Sequence, residues 1–337
     1  MCSSPREADS SLTPRLKVEF SHSARSTSDF ATEVLEGLSA HPKRIPYKYF
    51  YDEAGSKLFE EICNLPEYYL TRTELSILEK VAPEIAGYST GNLGLIELGS
   101  GNSQKTRLLI EAIIAEQGSL HYLPIDLAES MLVGVSKRLI RQYPELEITA
   151  CVADYKIGIR KIPEIILEQK MVVFLGSNIG NFTFSEATDF LREIRRQLSG
   201  GDYLLIGADM QKEASVLEAA YNDSKNVTAE FNLNLLRRIN SELGGNFDLK
   251  SFSHLAFYNA DESRIEMYLR SERDQEVHTQ ELDKTFQFEQ GEMVHTENSY
   301  KYSREQILEL SSQSGFDLSQ SWQDERGYFS LNLLTPA

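Results

Sequence analysis

Apolar strands and amphipathic helices alternate along the chain between Gly94 and Met210, and this alternation limits the fold more than any other feature. The strand-like segments read GLIELGSG, HYLPIDL, EITACVAD, KMVVFLGSNIGN and GDYLLIGADM. The segments between them, such as TRLLIEAII, SMLVGVSKRLIRQY and TDFLREIRRQL, have helical spacing. Strands separated by helices of this length form parallel sheets with helices on both faces. The sequence therefore predicts a doubly wound α/β core, with its ligand beyond the carboxyl ends of the strands.

The segments outside this core predict a second unit and a return to the sheet. Residues 1–23 are rich in Ser with scattered Pro, and we expect a flexible tail there. Thr71 and Glu74 match an S/T-x-x-E capping box at the start of a helix. The segments SFSHLAFYN, ESRIEMYLR and TFQFEQ are typical of antiparallel strands, and FDLSQSW and GYFSLNLLTP of strands that rejoin the core. We expect an inserted α+β substrate-binding domain from 24–72 and 213–301, and a cofactor-binding domain from 73–212 and 302–337.

Charge and composition favour small-molecule chemistry. The 34 basic and 51 acidic side chains give a formal net charge of −17, so we expect no nucleic-acid partner and no membrane partner. No apolar run approaches the length of a membrane span, and the N-terminus lacks the apolar stretch of a secretory signal. Three cysteines without a CxxC pair fit a reducing compartment. We therefore expect a cytoplasmic protein.

Gly99 and Gly101 lie in a loop that closes the first core strand and opens a helix. Glycines allow a ligand to approach the backbone closely, and a helix N-terminus offers free N–H groups. The loop reads GSGNSQKT, so it lacks the third glycine of a dinucleotide fingerprint. It also lacks the GxxxxGK[ST] pattern of a Walker A loop.

Acidic residues end the next two strands. Asp126 ends YLPID, where a carboxylate can accept both hydroxyls of a ribose. Asp154 and Tyr155 follow the third strand, where an acid and an aromatic ring can hold an adenine. Each aspartate by itself is more often a helix cap or a loop carboxylate. Together with Glu97 before the glycine loop, their order favours S-adenosyl-L-methionine over NAD.

Six longer strings, from about residue 30 to the C-terminus, carry a resemblance to a known family. They are FYDEAGSKLFEEICNLPEYYLTRTE, LIELGSGNSQKTRLL, VVFLGSNIGN, YNDSKNVTAEFNLNLL, ESRIEMYLR and GEMVHTENSYKY. With these strings the chain resembles the histidine-specific Nα-methyltransferases of ergothioneine biosynthesis. The resemblance implies a Rossmann-like class I methyltransferase sheet and S-adenosyl-L-methionine (SAM) as cofactor. It also implies trimethylation of the α-amino group of L-histidine to hercynine.

The same resemblance implies roles for individual side chains. The residues implied to contact the cofactor are Tyr51, Gly99, Lys105, Asp126, Asp154 and Tyr155. Tyr51 is implied to close over the reacting amine as well, and it is the candidate catalytic residue. The residues implied to hold the amino-acid head group are Tyr68, Asn181 and Tyr221. Met267 is implied to line the substrate pocket. Glu297 and Ser299 are implied to bind the imidazole ring.

Glu297 and Ser299 stand two residues apart in TENSYK. In a strand, both side chains point to one face and Asn298 to the other. Glutamate can then accept an imidazole N–H while serine faces the second ring nitrogen. An apolar substrate leaves both groups unpaired, which can lower its relative activity by a factor of about 10⁴. Without the resemblance, such a pair is more typical of a solvated edge strand.

Five positions depart from the family pattern. Asn102 and Gln104 stand where Thr and Glu are usual, and Asn178 stands where Thr is commoner. Tyr155 replaces a frequent Phe, and Asn298 lies between the two implied imidazole contacts. These residues are conservative in size or point away from the ring. We therefore expect them to affect rate and affinity more than reaction type.

Two other functions stay open on the sequence. The same fold and cofactor could serve another amino acid or an aromatic amine such as a tryptophan derivative. Glu297 and Ser299 discriminate here, because an indole pocket has no need of that pair. A cofactor-binding subunit without turnover is a further alternative, against which the complete head-group set weighs.

The remaining candidate residues have ordinary explanations. His254, His278 and His295 form no HxH or HExxH ligand set, so we predict no metal site. Cys63 and Cys151 fall on apolar positions and are expected in the core. We expect a monomer whose partner is its small-molecule substrate.

Overall fold

The computed structural model describes residues 14–20, 27–162 and 167–337. Its helices are α1 (Thr27–Ser39), α2 (Glu53–Cys63), α3 (Tyr69–Ala86), α4 (Thr106–Gln117), α5 (Glu129–Gln142), α6 (Tyr155–Lys161), α7 (Phe184–Arg195), α8 (Ala214–Tyr221), α9 (Val227–Leu243) and α10 (Arg304–Gln313). Its strands are β1 (Leu16–Phe20), β2 (Lys43–Arg44), β3 (Leu93–Leu98), β4 (Leu120–Asp126), β5 (Leu146–Val152), β6 (Gln169–Phe174), β7 (Tyr203–Asp209), β8 (Phe252–Asn259), β9 (Arg264–Ser271), β10 (Gln275–Thr279), β11 (Lys284–Phe288), β12 (Met293–Tyr300), β13 (Phe316–Gln323) and β14 (Phe329–Pro336). No helix within these ranges has the length and apolarity needed to cross a membrane.

An eight-stranded sheet forms the centre of the molecule, in the order β1-β5-β4-β3-β6-β7-β14-β13. The strands from β1 to β7 are parallel, whereas β14 runs antiparallel to β7 and β13 antiparallel to β14. All six residues of β3 are buried, as a central parallel strand covered on both faces requires. Separate apolar clusters fill the two faces. The predicted doubly wound α/β core is confirmed, and its last two strands return to the sheet as expected.

The first strand of this sheet corrects the expectation of a flexible tail. Leu16–Phe20 pairs in parallel with β5, from Leu16 opposite Ile148 to Phe20 opposite Val152. The guanidinium of Arg15 also donates to three carbonyl oxygens, those of Ile140, Tyr143 and Leu146, at 2.9, 3.0 and 2.7 Å. Residues 1–13 and 21–23 of the expected tail lie outside the described residues.

The second unit has its own sheets and its own core. Its four-stranded sheet has the order β2-β12-β9-β8, and β10 pairs with β11 in a separate two-stranded sheet. Side chains from 30–70 and from 217–294 share one apolar cluster, in which the rings of Phe50 and Phe231 stack at 4.4 Å between centroids. Both segments of the expected inserted domain thus contribute to a single core, and the boundaries of the two domains stay a prediction.

The predicted capping box at Thr71 and Glu74 is wrong. Helix α3 begins at Tyr69, so both residues lie inside it, and Tyr68 at the N-cap makes no capping bond through its side chain. Tyr69 and Leu70 are buried in the apolar cluster of the second unit. Their burial explains the earlier start of the helix, because packing of apolar side chains outweighs a local capping preference.

Arg15→Gln should lower the free energy of unfolding by about 1–3 kcal/mol. The substitution removes a cationic donor from three carbonyl groups at and just beyond the C-terminal end of α5. Denaturant unfolding measures the change. Lys17→Gln removes the same charge from an exposed position two residues away, in β1, and it should cost less than about 0.5 kcal/mol. Equal losses in the two variants would contradict this role of Arg15.

Candidate active site

A cavity beyond the carboxyl end of β6 gathers the residues that were expected to contact the substrate. They are Tyr51, Tyr68, Asn181, Tyr221, Met267, Glu297 and Ser299. Sequence reasoning missed the other lining residues, which are Phe59, Ile62, Leu70, Gly176, Ser177, Asn178, Ala220, Thr228 and Phe231. The cavity lies where the central sheet meets the second unit, as expected for a ligand site in a doubly wound sheet.

Strand β12 supplies one wall of this cavity through Glu297 and Ser299. Glu297 lies opposite Met267 of β9 in the register of the two strands, and all three side chains line the cavity. Asn298 points to the other face, where its Oδ1 lies 2.8 Å from Nε2 of His295. The alternation of a β-strand therefore presents the two residues together, as the sequence predicts.

The carboxyl group of Glu297 has an unusual electrostatic environment. Burial raises its pKa to about 7, and the charge of Lys301 opposes this shift. The tyrosines whose pKa Glu297 helps to raise are Tyr47, Tyr51, Tyr68 and Tyr221. For all of them burial is the largest cause of the rise. These hydroxyls consequently keep their protons at neutral pH, whereas the carboxyl group of Glu297 titrates near neutral pH.

A buried polar network lies behind Ser299. The hydroxyl of Tyr221 donates to Ser299 Oγ at 2.8 Å, and Lys301 Nζ donates to the same oxygen at 2.8 Å. Lys301 also pairs with Asp209 at 2.8 Å, and both side chains are fully buried. Asp209 pairs in addition with Lys212 at 2.6 Å. Sequence reasoning missed the network, although Lys301 continues the i, i+2 series and Asp209 ends a core strand.

The aromatic residues expected around the amine line the cavity from several elements. The ring of Tyr51 makes edge contacts with Phe59 and Phe231, at 5.5 and 5.8 Å between centroids. Tyr68 and Tyr221 make a similar edge contact at 6.4 Å. Tyr221, implied to hold the head group, has its hydroxyl on Ser299 and so joins the two ends of the cavity.

The glycine loop forms an open cradle at the ends of β3 and β4. Gly99 has φ +74°, and a Cβ there would lie 2.7 Å from the hydroxyl of Tyr155. Gly101 has φ +48°, and a Cβ there would meet no atom within 4 Å. Its N–H donates to Asp126 Oδ2 at 2.9 Å, and Ala128 N–H donates to Asp126 Oδ1 at 2.8 Å. Asp126 therefore holds the loop in place beside open space.

Lys105 and Asp154 both have structural partners. Asp154 Oδ1 accepts from Ile157 N–H at 2.9 Å and caps α6. A helix cap is the structural role that such an aspartate most often has. Lys105 Nζ lies 2.7 Å from Glu74 Oε2. Among the residues that the structure describes, no group of three or more His, Cys, Asp and Glu side chains could hold a metal ion.

Glu74 connects the glycine loop with the turn after β6, a role that sequence reasoning missed. Its carboxylate is fully buried and accepts from Gly176 N–H at 3.0 Å to each oxygen as well as from Lys105. A Cβ on Gly207 of β7 would lie only 2.3 Å from Glu74 Oε1. The glycine in the sheet therefore makes room for this carboxylate.

Comparison with known proteins identifies the family. Residues 30–336 match the model of the SAM-dependent histidine-specific methyltransferases. The chain belongs to this family. The resemblance inferred from the motifs is thus confirmed, and the protein is a methyltransferase.

Individual relatives of this methyltransferase come from bacteria and fungi. The chain is 40% identical to a histidine N-alpha-methyltransferase of Mycolicibacterium smegmatis, over 89% of this chain and 93% of that protein. It is 34% identical to ergothioneine biosynthesis protein 1 of Neurospora crassa, over 83% of this chain and 32% of that protein. An L-tryptophan methyltransferase of Psilocybe serbica is 28% identical, over 92% and 93% of the two chains.

Glu74→Gln should lower the free energy of unfolding by about 2–4 kcal/mol, because it leaves Lys105 without its buried counter-charge. The matched control is Glu79→Gln, which makes the same change on an exposed face of α3 and should cost less than about 0.5 kcal/mol. Denaturant unfolding of both variants gives the comparison. A loss at Glu74 as small as that at Glu79 would show that the buried pair does not hold the loops.

Proposed function

We propose that this methyltransferase uses SAM to trimethylate the α-amino group of L-histidine, forming hercynine for ergothioneine biosynthesis. The observation that carries the proposal is the pairing of Glu297 and Ser299 on one wall of the cavity. One side chain can accept a hydrogen bond and the other carries a hydroxyl, which suits a ring with two nitrogens. The 40% identity to a histidine N-alpha-methyltransferase supports the same substrate.

The glycine cradle fits SAM in the chemistry of its residues. Gly101 faces open space, the Asp126 carboxylate stands at the end of β4, and Tyr155 lies beside Gly99. We propose that these residues hold the cofactor, with Asp126 on the ribose and Tyr155 next to the adenine. Lys105 and Asp154 would support the site by shaping the loops. When bound, SAM supplies an electrophilic methyl group on a positively charged sulfur.

The head-group residues orient the amine without adding charge beside that sulfur. Tyr68 offers a neutral hydroxyl and Asn181 a neutral amide, which can hold a carboxylate and an amine. Burial raises the pKa of Tyr51 well above its usual value, so this residue keeps its proton. Tyr51 can accept an amine N–H through its oxygen, which leaves the nitrogen lone pair free for the methyl group. Orientation of this kind is the main contribution that the protein can make to such a displacement.

Aromatic side chains limit the access of water to the amine. Tyr51, Phe59 and Phe231 contact one another edge-on or at a tilt, with centroids 5.5 to 5.9 Å apart. Exclusion of water strengthens the hydrogen bonds inside the site. The same wall is compatible with an aromatic substrate such as tryptophan, but an indole would leave Glu297 and Ser299 poorly matched.

Product analysis tests the proposed substrate. Purified protein with SAM and L-histidine should yield histidine carrying one, two and then three methyl groups by mass spectrometry. Glu297→Ala should lower kcat/KM for histidine by a factor of about 10² to 10⁴, because the ring N–H loses its acceptor. Asn298→Ala on the opposite face of β12 is the matched control and should stay within about threefold of wild type. SAM binding without methylated histidine would contradict the proposal.

Histidine binding should weaken as pH falls below about 7. The neutral ring donates to the Glu297 carboxylate, and that carboxylate is lost as pH drops through its pKa of about 7. The dissociation constant should approach a tenfold rise per pH unit beyond the titration of histidine itself. Calorimetry between about pH 6 and about pH 8 measures it. Glu297→Gln keeps an acceptor oxygen and should show the titration of histidine alone, so identical slopes would contradict this role of Glu297.

A further inference from the structure

Lys301, the residue after β12, is a fully buried cation with no assigned part in substrate binding. We infer that Lys301 is a positioning residue, which forces the Ser299 hydroxyl to donate its proton into the cavity. The ring nitrogen that contacts Ser299 must then carry a lone pair, because Ser299 can only donate to it. The inference rests on the proposed function and extends it from the identity of the substrate to the protonation state of its ring.

The hydrogen bonds of Ser299 support this direction. A serine hydroxyl has one proton to donate and two lone pairs that accept. Tyr221 donates to Ser299 Oγ at 2.8 Å, and Lys301 Nζ donates to it at 2.8 Å. Both lone pairs are therefore used by protein groups, the hydroxyl of Tyr221 and the ammonium of Lys301. The proton of Ser299 is left for a ligand, since this residue lines the cavity.

Lys301 sets the polarity of this arrangement. An ammonium group has only donors, and Lys301 Nζ also donates to the hydroxyl of Tyr221 at 3.1 Å. Tyr221 thus accepts from Lys301 and passes its own proton to Ser299. Burial by itself would lower the pKa of Lys301, but Asp209 and Tyr221 raise it above the usual value. The ammonium group of Lys301 consequently keeps all its protons at physiological pH. The donor direction of the hydrogen bonds from Lys301 through Tyr221 to Ser299 therefore does not reverse.

Glu297 completes a wall with one acceptor and one donor. A neutral imidazole has one N–H and one nitrogen lone pair, so it satisfies both residues at once. An imidazolium has two N–H groups, one of which would face the Ser299 proton. An indole has no nitrogen lone pair to accept from Ser299. Ser299, which can only donate into the cavity, therefore selects neutral azole rings and fixes a single tautomer of the bound substrate.

Nitrogen NMR of bound histidine tests this inference. With ring-¹⁵N-labelled L-histidine on the wild-type protein, we expect one protonated and one unprotonated ring nitrogen, as for a single tautomer. Lys301→Met keeps the length of the side chain but removes its donors, so Ser299 can rotate. In this variant the two ¹⁵N signals should move towards each other as tautomers mix. KM for histidine should rise about tenfold, with a smaller change in kcat.

Two further variants separate positioning from folding. In Lys301→Met, Asp209 keeps Lys212 as its counter-charge at 2.6 Å. Lys301→Met combined with Asp209→Asn removes both members of the Asp209–Lys301 pair and restores the original net charge of the group, although Lys212 loses its counter-charge, and this double variant should show the same ¹⁵N shifts. Ser299→Ala should also mix the tautomers while it leaves Lys301 and Asp209 paired. Unchanged ¹⁵N signals in histidine-bound Lys301→Met and the double variant would overturn the inference alone. Failure of the wild-type protein to bind histidine would contradict the proposed function as well.

Discussion

The buried carboxylate of Asp209 is the interaction on which the site depends, because it joins the central sheet to the second unit. Asp209 ends β7 and pairs with Lys301 and Lys212 at 2.8 and 2.6 Å. The hydroxyl of Tyr69, at the start of α3, donates to both of its oxygens at 2.8 Å. A buried ion pair is weak evidence for stability, since desolvation costs about as much as the attraction returns. Its contribution here is geometric: it fixes β12, and with it Glu297 and Ser299, against the end of the sheet.

Backbone hydrogen bonds also join the central sheet to the second unit at Asp209. Tyr302 N–H donates to the carbonyl of Asp209 at 2.9 Å, and Gln211 N–H donates to the carbonyl of Tyr302 at 3.0 Å. Asp209 N–H donates to Ser177 Oγ at 2.9 Å, which ties in the turn after β6. The cavity wall and the turn that carries Asn181 are thus held by one residue. Substrate and cofactor sites need such a rigid frame, because small displacements of reacting atoms cost rate steeply.

Charge is kept behind the cavity wall, and neutral groups face the substrate. Lys301 and Asp209 are fully buried, while the polar residues that line the cavity are three tyrosines, two asparagines, two serines, a threonine and Glu297. A neutral lining avoids repulsion of the positive sulfur of SAM in the proposed reaction. It also preserves the free lone pair of the amine. Glu297 is the exception, and its pKa is raised because burial disfavours the charged carboxylate.

The sequence predicts those features that depend on local periodicity. The parallel core follows from continuous apolar strands, and the shared face of Glu297 and Ser299 follows from strand alternation. The pairing of Asp209 with Lys301 could not be predicted in this way, because it joins strands of two different sheets. The place of Glu74 could not be predicted for a related reason: its sequence position predicts a helix cap, yet tertiary packing buries it against Gly207 and Lys105. The segment LKVEF alternates like an edge strand, but its serine-rich surroundings favoured a tail.

A crystal structure of the protein with S-adenosylhomocysteine and L-histidine would test the central claim most directly. The account predicts the two imidazole nitrogens within hydrogen-bond distance of Glu297 and Ser299, with the α-amino group on the Tyr51 side and facing the sulfur. A histidine bound in the reverse direction, with its carboxylate at Ser299 and its ring near Tyr51, would contradict it.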